Sequence, residues 1–221
     1  MENALTMDQP SLTPAYPGAN GTSLPGAVRL LTLAEVSPAD RHAWHDLGTD
    51  AADKNAFADP ELVIAGLTHV SSGDVRLAFV NARGGQLIGV APLVIATQLG
   101  RFPLRHIRLW DHPNSFCTAV LIREGHGHAF WSILFAALAA DPGWARSCAV
   151  ALPMLPYDSQ AFESLSRVAA ARNWRLQSSK TMPAPSPKGP NRWTAIGTLM
   201  SGQKSARKSV ANRPGSRNWA R

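Results

Sequence analysis

The chain has 221 residues, of which 45% are apolar and 17% charged. That balance suits one substantial folded core and excludes a fibrous or wholly disordered chain. The formal charge of +7 is unevenly placed, because residues 1–163 carry ten Lys or Arg against fifteen Asp or Glu, whereas residues 164–221 carry twelve bases and no acid.

Residues 1–25 are rich in Pro, Gly, Ser, Thr and Asn without periodicity and are expected to be disordered. Gly26–Val36 reads as a first strand. A Ser37 cap with Pro38 in the first turn opens a helix, and Asp59 with Pro60 opens a second. In that second helix Leu62, Ala65, Gly66 and His69 keep helical spacing. Two β-rich runs, residues 74–97, meet at Arg83-Gly84-Gly85-Gln86, a hairpin signal. Strands over 104–112 and 118–124 follow, separated by the Pro113-Asn114-Ser115 turn. Next come an apolar helix from about Gly127 to Ala140, a strand over 147–155, a helix over 159–173 and a strand over 174–182. Residues 183–190 hold four prolines and a glycine and read as a linker. The order is β-α-α-β-β-β-α-β-α-β, an α/β (α+β) fold with a mixed sheet flanked by helices.

The longest apolar run, Ala129–Ala140, is twelve residues, against the roughly 20 that a spanning helix needs. The N-terminus is polar and has no apolar leader. A cytoplasmic protein without a membrane span is expected, with Cys117 and Cys148 as buried, reduced thiols.

Several segments could carry chemistry. In Arg123-Glu124-Gly125-His126-Gly127-His128 a strand ends, glycines follow and a helix begins, which can offer backbone N–H groups and a helix dipole to a phosphate. Arg123, Gly125 and Gly127 are therefore candidate cofactor-binding residues, although the segment is neither a P-loop nor GxGxxG. The alternative is an ordinary strand-to-helix turn. His42 with His45, His126 with His128, and Asp111 with His112 lack a local third ligand, so no metal site is expected. No GxSxG nucleophile motif occurs, and neither cysteine has a catalytic flanking pattern. Trp110, His112, Asn114 and Phe116 cluster on a strand–turn–strand and could line a pocket for an acceptor. The alternative there is a polar turn with Trp110 and Phe116 in the core. Lys204, Arg207, Lys208, Arg213, Arg217 and Arg221 could contact phosphates. Only Trp219 among them could stack on bases.

Residues 42–70 resemble the opening of GNAT-superfamily acyltransferases of the cellulose-biosynthesis (CelD/BcsL) type. The matching positions are Trp44, Leu47, Asn55, Phe57, Pro60 and Glu61. Residues 84–95 are similar to the family's hairpin, 109–122 to its Trp–His-Pro–Phe strand pair, and 150–156 to the strand after it. The resemblance spans about residues 26–210, and the element order matches a GNAT lobe. It implies a lobe over 26–182, the linker 183–190, and a basic opening of a second, acetyltransferase lobe over 191–221. It also implies acyl-CoA (acetyl-CoA) as co-substrate and a sugar, polysaccharide or envelope precursor as acceptor. In such a lobe Arg123–Gly127 falls where a Gln/Arg-x-x-Gly-x-Gly/Ala pyrophosphate loop stands, one residue short of it. The expectation is an N-terminal lobe truncated before its catalytic half, through a reading frame interrupted near residue 209, and inactive alone. Catalytic residues stay unknown. Two readings remain beside it: a non-catalytic CoA- or acceptor-binding module, and a nucleic-acid binder acting through the basic tail, although nucleic acid is not the expected partner.

Overall fold

The computed structural model describes residues 26–71, 73–111, 115–179 and 195–199. Its strands are β1 (Gly26–Leu31), β2 (Arg76–Ala82), β3 (Leu87–Ala96), β4 (His106–Leu109), β5 (Leu121–Ile122), β6 (Val150–Leu152), β7 (Arg175–Ser179) and β8 (Ala195–Leu199). Its helices are α1 (Pro38–Thr49), α2 (Pro60–His69), α3 (Gly127–Ala140) and α4 (Gln160–Ala171). The strands form one sheet in the order β1-β2-β3-β4-β6-β8-β7, with β5 also on β3. All pairs are antiparallel except β4 with β6. The fold is thus a mixed α/β sheet flanked by helices, as the sequence predicts. No helix among the described residues is long and apolar enough to cross a membrane.

Two apolar layers cover the sheet. Along β2, Leu77 and Phe79 join Trp44 and Leu47 of α1 and Val63 of α2, while Ala78 and Val80 join Phe130, Trp131 and Leu134 of α3. This is the period-two alternation of a strand covered on both faces. Each layer is anchored by a fully buried tryptophan whose indole N–H reaches a backbone carbonyl: Trp44 to Ala58 at 3.1 Å and Trp131 to Ala161 at 2.9 Å. Burying such a side chain is favourable only because its N–H finds a partner.

The register of β2 and β3 shifts between Val80 and Asn81, so that Ile88 is bulged out of the pairing. Gly89 beside it faces α3, and a Cβ there would overlap the Phe130 ring and approach the Leu121 carbonyl to 2.9 Å. The bulge and the missing side chain let α3 lie directly on the sheet.

Helix starts follow their caps. Ser37 accepts from the Asp40 N–H at 3.1 Å, and Asp40 returns the bond to Ser37. Burial pushes the Asp40 carboxyl up, but the Arg29 guanidinium and Ser37 outweigh it, and the group lies below the usual carboxylate range. Asp59 caps α2, accepting from the Glu61 N–H at 2.9 Å.

Several expectations change. The second helix buries Val63 and Gly66, whereas Leu62 is half exposed and Ala65 and His69 are exposed. The stripe is rotated by one residue because Val63, with Leu67, packs in Trp44's layer. Four strands, β2 to β5, lie between α2 and α3, matching the two runs over 74–97 and the strands over 104–112 and 118–124, one more than the β-α-α-β-β-β-α-β-α-β order counts. The first strand ends at Leu31, where Thr32 and Glu35 form a capping box over a short 3-10 turn. Cys117 is half-buried and Cys148 exposed, so neither is a core thiol. Residues 183–190, like 1–25, lie outside the described residues. β8 falls in the stretch that the resemblance gives to a second lobe and is hydrogen-bonded between β6 and β7.

Replacing Gly89 by Ala should lower unfolding free energy by about 1–3 kcal/mol, the usual cost of forcing atoms into a filled core. Urea titration followed by tryptophan fluorescence reads this directly, and an unchanged midpoint would contradict the seating of Phe130 on Gly89.

Candidate functional site

β3 is the template on which the site is built. Its second half pairs with β4, up to Leu93 opposite Leu109, and the Trp110 N–H donates to the Pro92 carbonyl at 2.9 Å. The chain then leaves the sheet and returns at Leu121, opposite Val90. Residues 110–111 and 115–120 therefore lie between two stretches, β4 and β5, that follow one line along β3. β4 runs beside β6 for only two pairs, Ile107 with Val150 and Arg108 with Ala151. Beyond them the Thr118 N–H of the returning excursion donates to the Met154 carbonyl after β6, at 3.3 Å.

The connection between α1 and α2 holds the excursion. The Asn55 side-chain amide donates to the Thr118 carbonyl at 2.7 Å. Its Oδ1 accepts from the Phe57 N–H at 3.0 Å and from the Cys117 thiol at 2.9 Å. Burial pushes the Cys117 thiol above its ordinary pKa, which keeps it a hydrogen-bond donor and a poor nucleophile. The Phe57 and Phe116 rings meet edge to face, with centroids 6.0 Å apart.

The sequence-predicted acceptor residues are thus divided. Trp110 is buried and Phe116 is 72% exposed, so the alternative that packs both in the core is met by Trp110 alone. His112 and Asn114 lie outside the described residues. Asp111 is tied to Arg108 at 2.7 Å.

The Arg123–Gly127 turn follows β5. The Arg123 guanidinium faces inward, with Nε donating to the Leu87 carbonyl at 3.1 Å and Nη1 forming an ion pair with Asp50. Gly125 takes φ +74°, a left-handed conformation that favours glycine. Gly127 abuts Ser164, which packs the start of α3 against the first turn of α4. α3 begins at Gly127, and its N-cap His126 gives no side-chain bond to the first N–H groups. An open hollow of about 520 Å³ lies beside the turn, lined by Thr49, Asp50, Lys54, Arg123 and Glu124 among others.

Asp53 was not singled out by the sequence, yet it spans this end of the molecule. Its two carboxylate oxygens accept from the Gln160 N–H at 3.0 Å and the Ala161 N–H at 2.9 Å. A carboxylate from another segment thereby occupies the positive end of α4. Asp50, also missed, pairs with Arg123. Only the Asp-x-x-Asp spacing after α1 hints at either role, since their partners lie 73 to 108 residues away. Across residues 50–54, 123–127 and 153–160 stand four acids (Asp50, Asp53, Glu124, Asp158) and two bases (Lys54, Arg123). In these three segments acids outnumber bases, and the β2–β3 hairpin at the same end adds the exposed Arg83. Among the described residues no three His, Cys, Asp or Glu side chains converge as a metal site would require.

No family model matches the chain. No curated protein matches it at the threshold of significance. Among solved structures, it is similar to the spermidine/spermine N-acetyltransferase SpeG from Vibrio cholerae, with 14% identity over 79% of this chain and 91% of that one, at a TM-score of 0.42. It is also similar to the acetyl-CoA-bound structure of yncA from Salmonella typhimurium, with 9% identity over 81% and 96% of the two chains and a TM-score of 0.41. The Vibrio cholerae spermidine N-acetyltransferase in complex with CoA and spermine gives 13% identity, coverage of 79% and 93%, and a TM-score of 0.36. Likenesses this distant assign no chemistry, which must come from this chain's own residues.

Replacing Asp53 by Ala leaves two amides of α4 without their acceptor and should cost about 0.5–2 kcal/mol, as for other lost helix caps. Asp53→Asn, which keeps one acceptor oxygen, should recover part of that loss. Equal urea midpoints for the parent and Asp53→Ala would contradict the cap.

Proposed function

We propose that this chain is a lobe of an acyl-CoA-dependent N-acyltransferase of the GNAT kind, and that it presents the amine acceptor instead of holding the CoA. The acceptor class is an amino group on a sugar or envelope precursor. Support for the acyltransferase part comes from the element order and from the strand–turn–helix at residues 121–127, placed beside the point where β4 and β6 part. This is where the sequence resemblance expects a pyrophosphate loop.

The observation that carries the acceptor role is the fate of Arg123. A pyrophosphate needs outward N–H groups and uncommitted positive charge. Here the guanidinium is held by Asp50 and the Leu87 carbonyl, and Glu124 stands exposed next to it. The amides of α3 remain, but they sit in an acidic neighbourhood that repels a polyanion and attracts a protonated amine. Phe116 and Phe57 add an exposed aromatic edge of the kind on which a sugar ring can rest. Transfer to the amine requires an oxyanion donor and a base. No described residue of this lobe is assigned either part.

Calorimetry with glucosamine and with N-acetylglucosamine tests the reading. The free amine should bind in the millimolar range, a weak affinity typical of a small, exposed site. The acetylated sugar should give no heat, and Phe116→Ala should weaken the amine further. Equal binding of both sugars, or of neither, would overturn the assignment.

A further inference from the structure

Three segments meet at the end of the sheet opposite the Arg123–Gly127 turn. β4 and β6 are parallel, so residues 97–105, which lead into β4, and 141–149, which lead into β6, lie at the same end. They are joined there, with Arg105 Nη2 donating to the Gly143 carbonyl at 2.8 Å and the Cys148 N–H to the Arg105 carbonyl at 3.2 Å. β7 starts at this end too, because Arg175 pairs with Leu199 and Val150 with Thr198. Residues 97–105, 141–149 and 172–175 contain five arginines and a single acid, Asp141. Asp141 Oδ1 is engaged by the Gly143 and Trp144 amides, at 2.7 and 3.2 Å. Arg172 lies over the Trp174 ring, 4.9 Å from its centroid. Arg101, Arg105, Arg146 and Arg175 are exposed.

Within the first of these segments a tight turn, closed by reciprocal backbone bonds of Leu99 and Phe102, holds Phe102 72% exposed next to Arg101. The chain also leaves β8 here, since Leu199 is its last residue, and the sequence beyond it carries six Lys or Arg and no acid. These loops gather arginine on the β4–β6–β8–β7 side of this end, while Glu35 and Asp74 lie at the same end on its β1–β2 side.

We infer that the arginine end is a docking surface for an anionic lipid bilayer. The charge is spread from β4 across β6 and β8 to β7, about 14 Å at 4.8 Å per strand, which is the breadth of a surface and not a groove for one strand. Arginine forks suit lipid phosphates. A protruding aromatic among them suits the headgroup layer, where the ring is buried while the charges stay wet. A single-stranded nucleic acid would need open aromatic faces for its bases, and Arg172 already covers Trp174. This inference stands on charge placement and does not depend on the acyltransferase reading.

The test is co-sedimentation of the whole chain with phosphatidylcholine vesicles, either pure or with about a third phosphatidylglycerol. Binding should occur only on the anionic vesicles and be released by salt. Arg146→Glu with Arg175→Glu should lower the bound-to-free ratio at least about tenfold, and Phe102→Ser several-fold, with unchanged circular dichroism. Equal binding to neutral vesicles, no binding, parent-like binding of the charge-reversed variant, or preference for a single-stranded oligonucleotide would each overturn the inference.

Discussion

The site end of the molecule depends on four residues, Asp50 to Asp53, whose two carboxylates reach in different directions. Asp50 holds Arg123 at the end of β5, and Asp53 takes the first two amides of α4. Between them the Ala52 N–H donates to the Ile122 carbonyl, and the Asp50 carbonyl accepts from Glu124, both at 2.9 Å. A connection that belongs to the α1–α2 layer is thereby laid along β5 and onto the helices of the other layer. Two places where an external anion could have been held are instead satisfied from within, one by pairing off a cation and one by capping a helix. The fixed connection in turn supplies Asn55 and Phe57, which hold residues 116–118 of the excursion in position. Removing the latch would loosen the turn, the excursion and the start of α4 together, because they share these few contacts.

Much of this fold was legible in the chain. Ser37-Pro38, Asp59-Pro60 and Ser159 mark three helix starts through capping chemistry that acts over two or three residues. Arg83–Gln86 marks the hairpin through turn chemistry equally local, and α3 is bounded as its apolar run predicts. What escaped was non-local. A strand broken by eleven residues reads as two strands, and only pairing to β3 shows that β4 and β5 share one line. β8 is five residues after a proline-rich stretch, with no pattern that announces insertion between β6 and β7. The amphipathic stripe of α2 was misplaced by one residue because periodicity gives spacing but not the angle at which a helix meets Trp44. At the site, the glycines of the turn were visible, whereas the inward posture of Arg123 depends on Asp50, 73 residues away.

Charge tells a similar story on a larger scale. Composition alone divides the chain into an acidic body and a basic end of the sequence. Folding adds a grouping that composition does not show, since parallel β4 and β6 gather the loops that carry Arg101, Arg105 and Arg146 at one end, away from Asp50, Asp53 and Glu124. The carboxylates suit a cationic acceptor and the arginines a polyanionic surface. Both preferences arise from topology, because neither set of residues is contiguous in sequence.

Internal carboxylates, on the reading proposed above, close the Arg123–Gly127 turn to a pyrophosphate. Backbone amide NMR during titration with coenzyme A tests it most directly. The signals of Gly125, Gly127 and His128 should stay in place up to millimolar ligand, with no saturable shift. A saturable displacement of those amides at micromolar coenzyme A would contradict the account and return the turn to the cofactor.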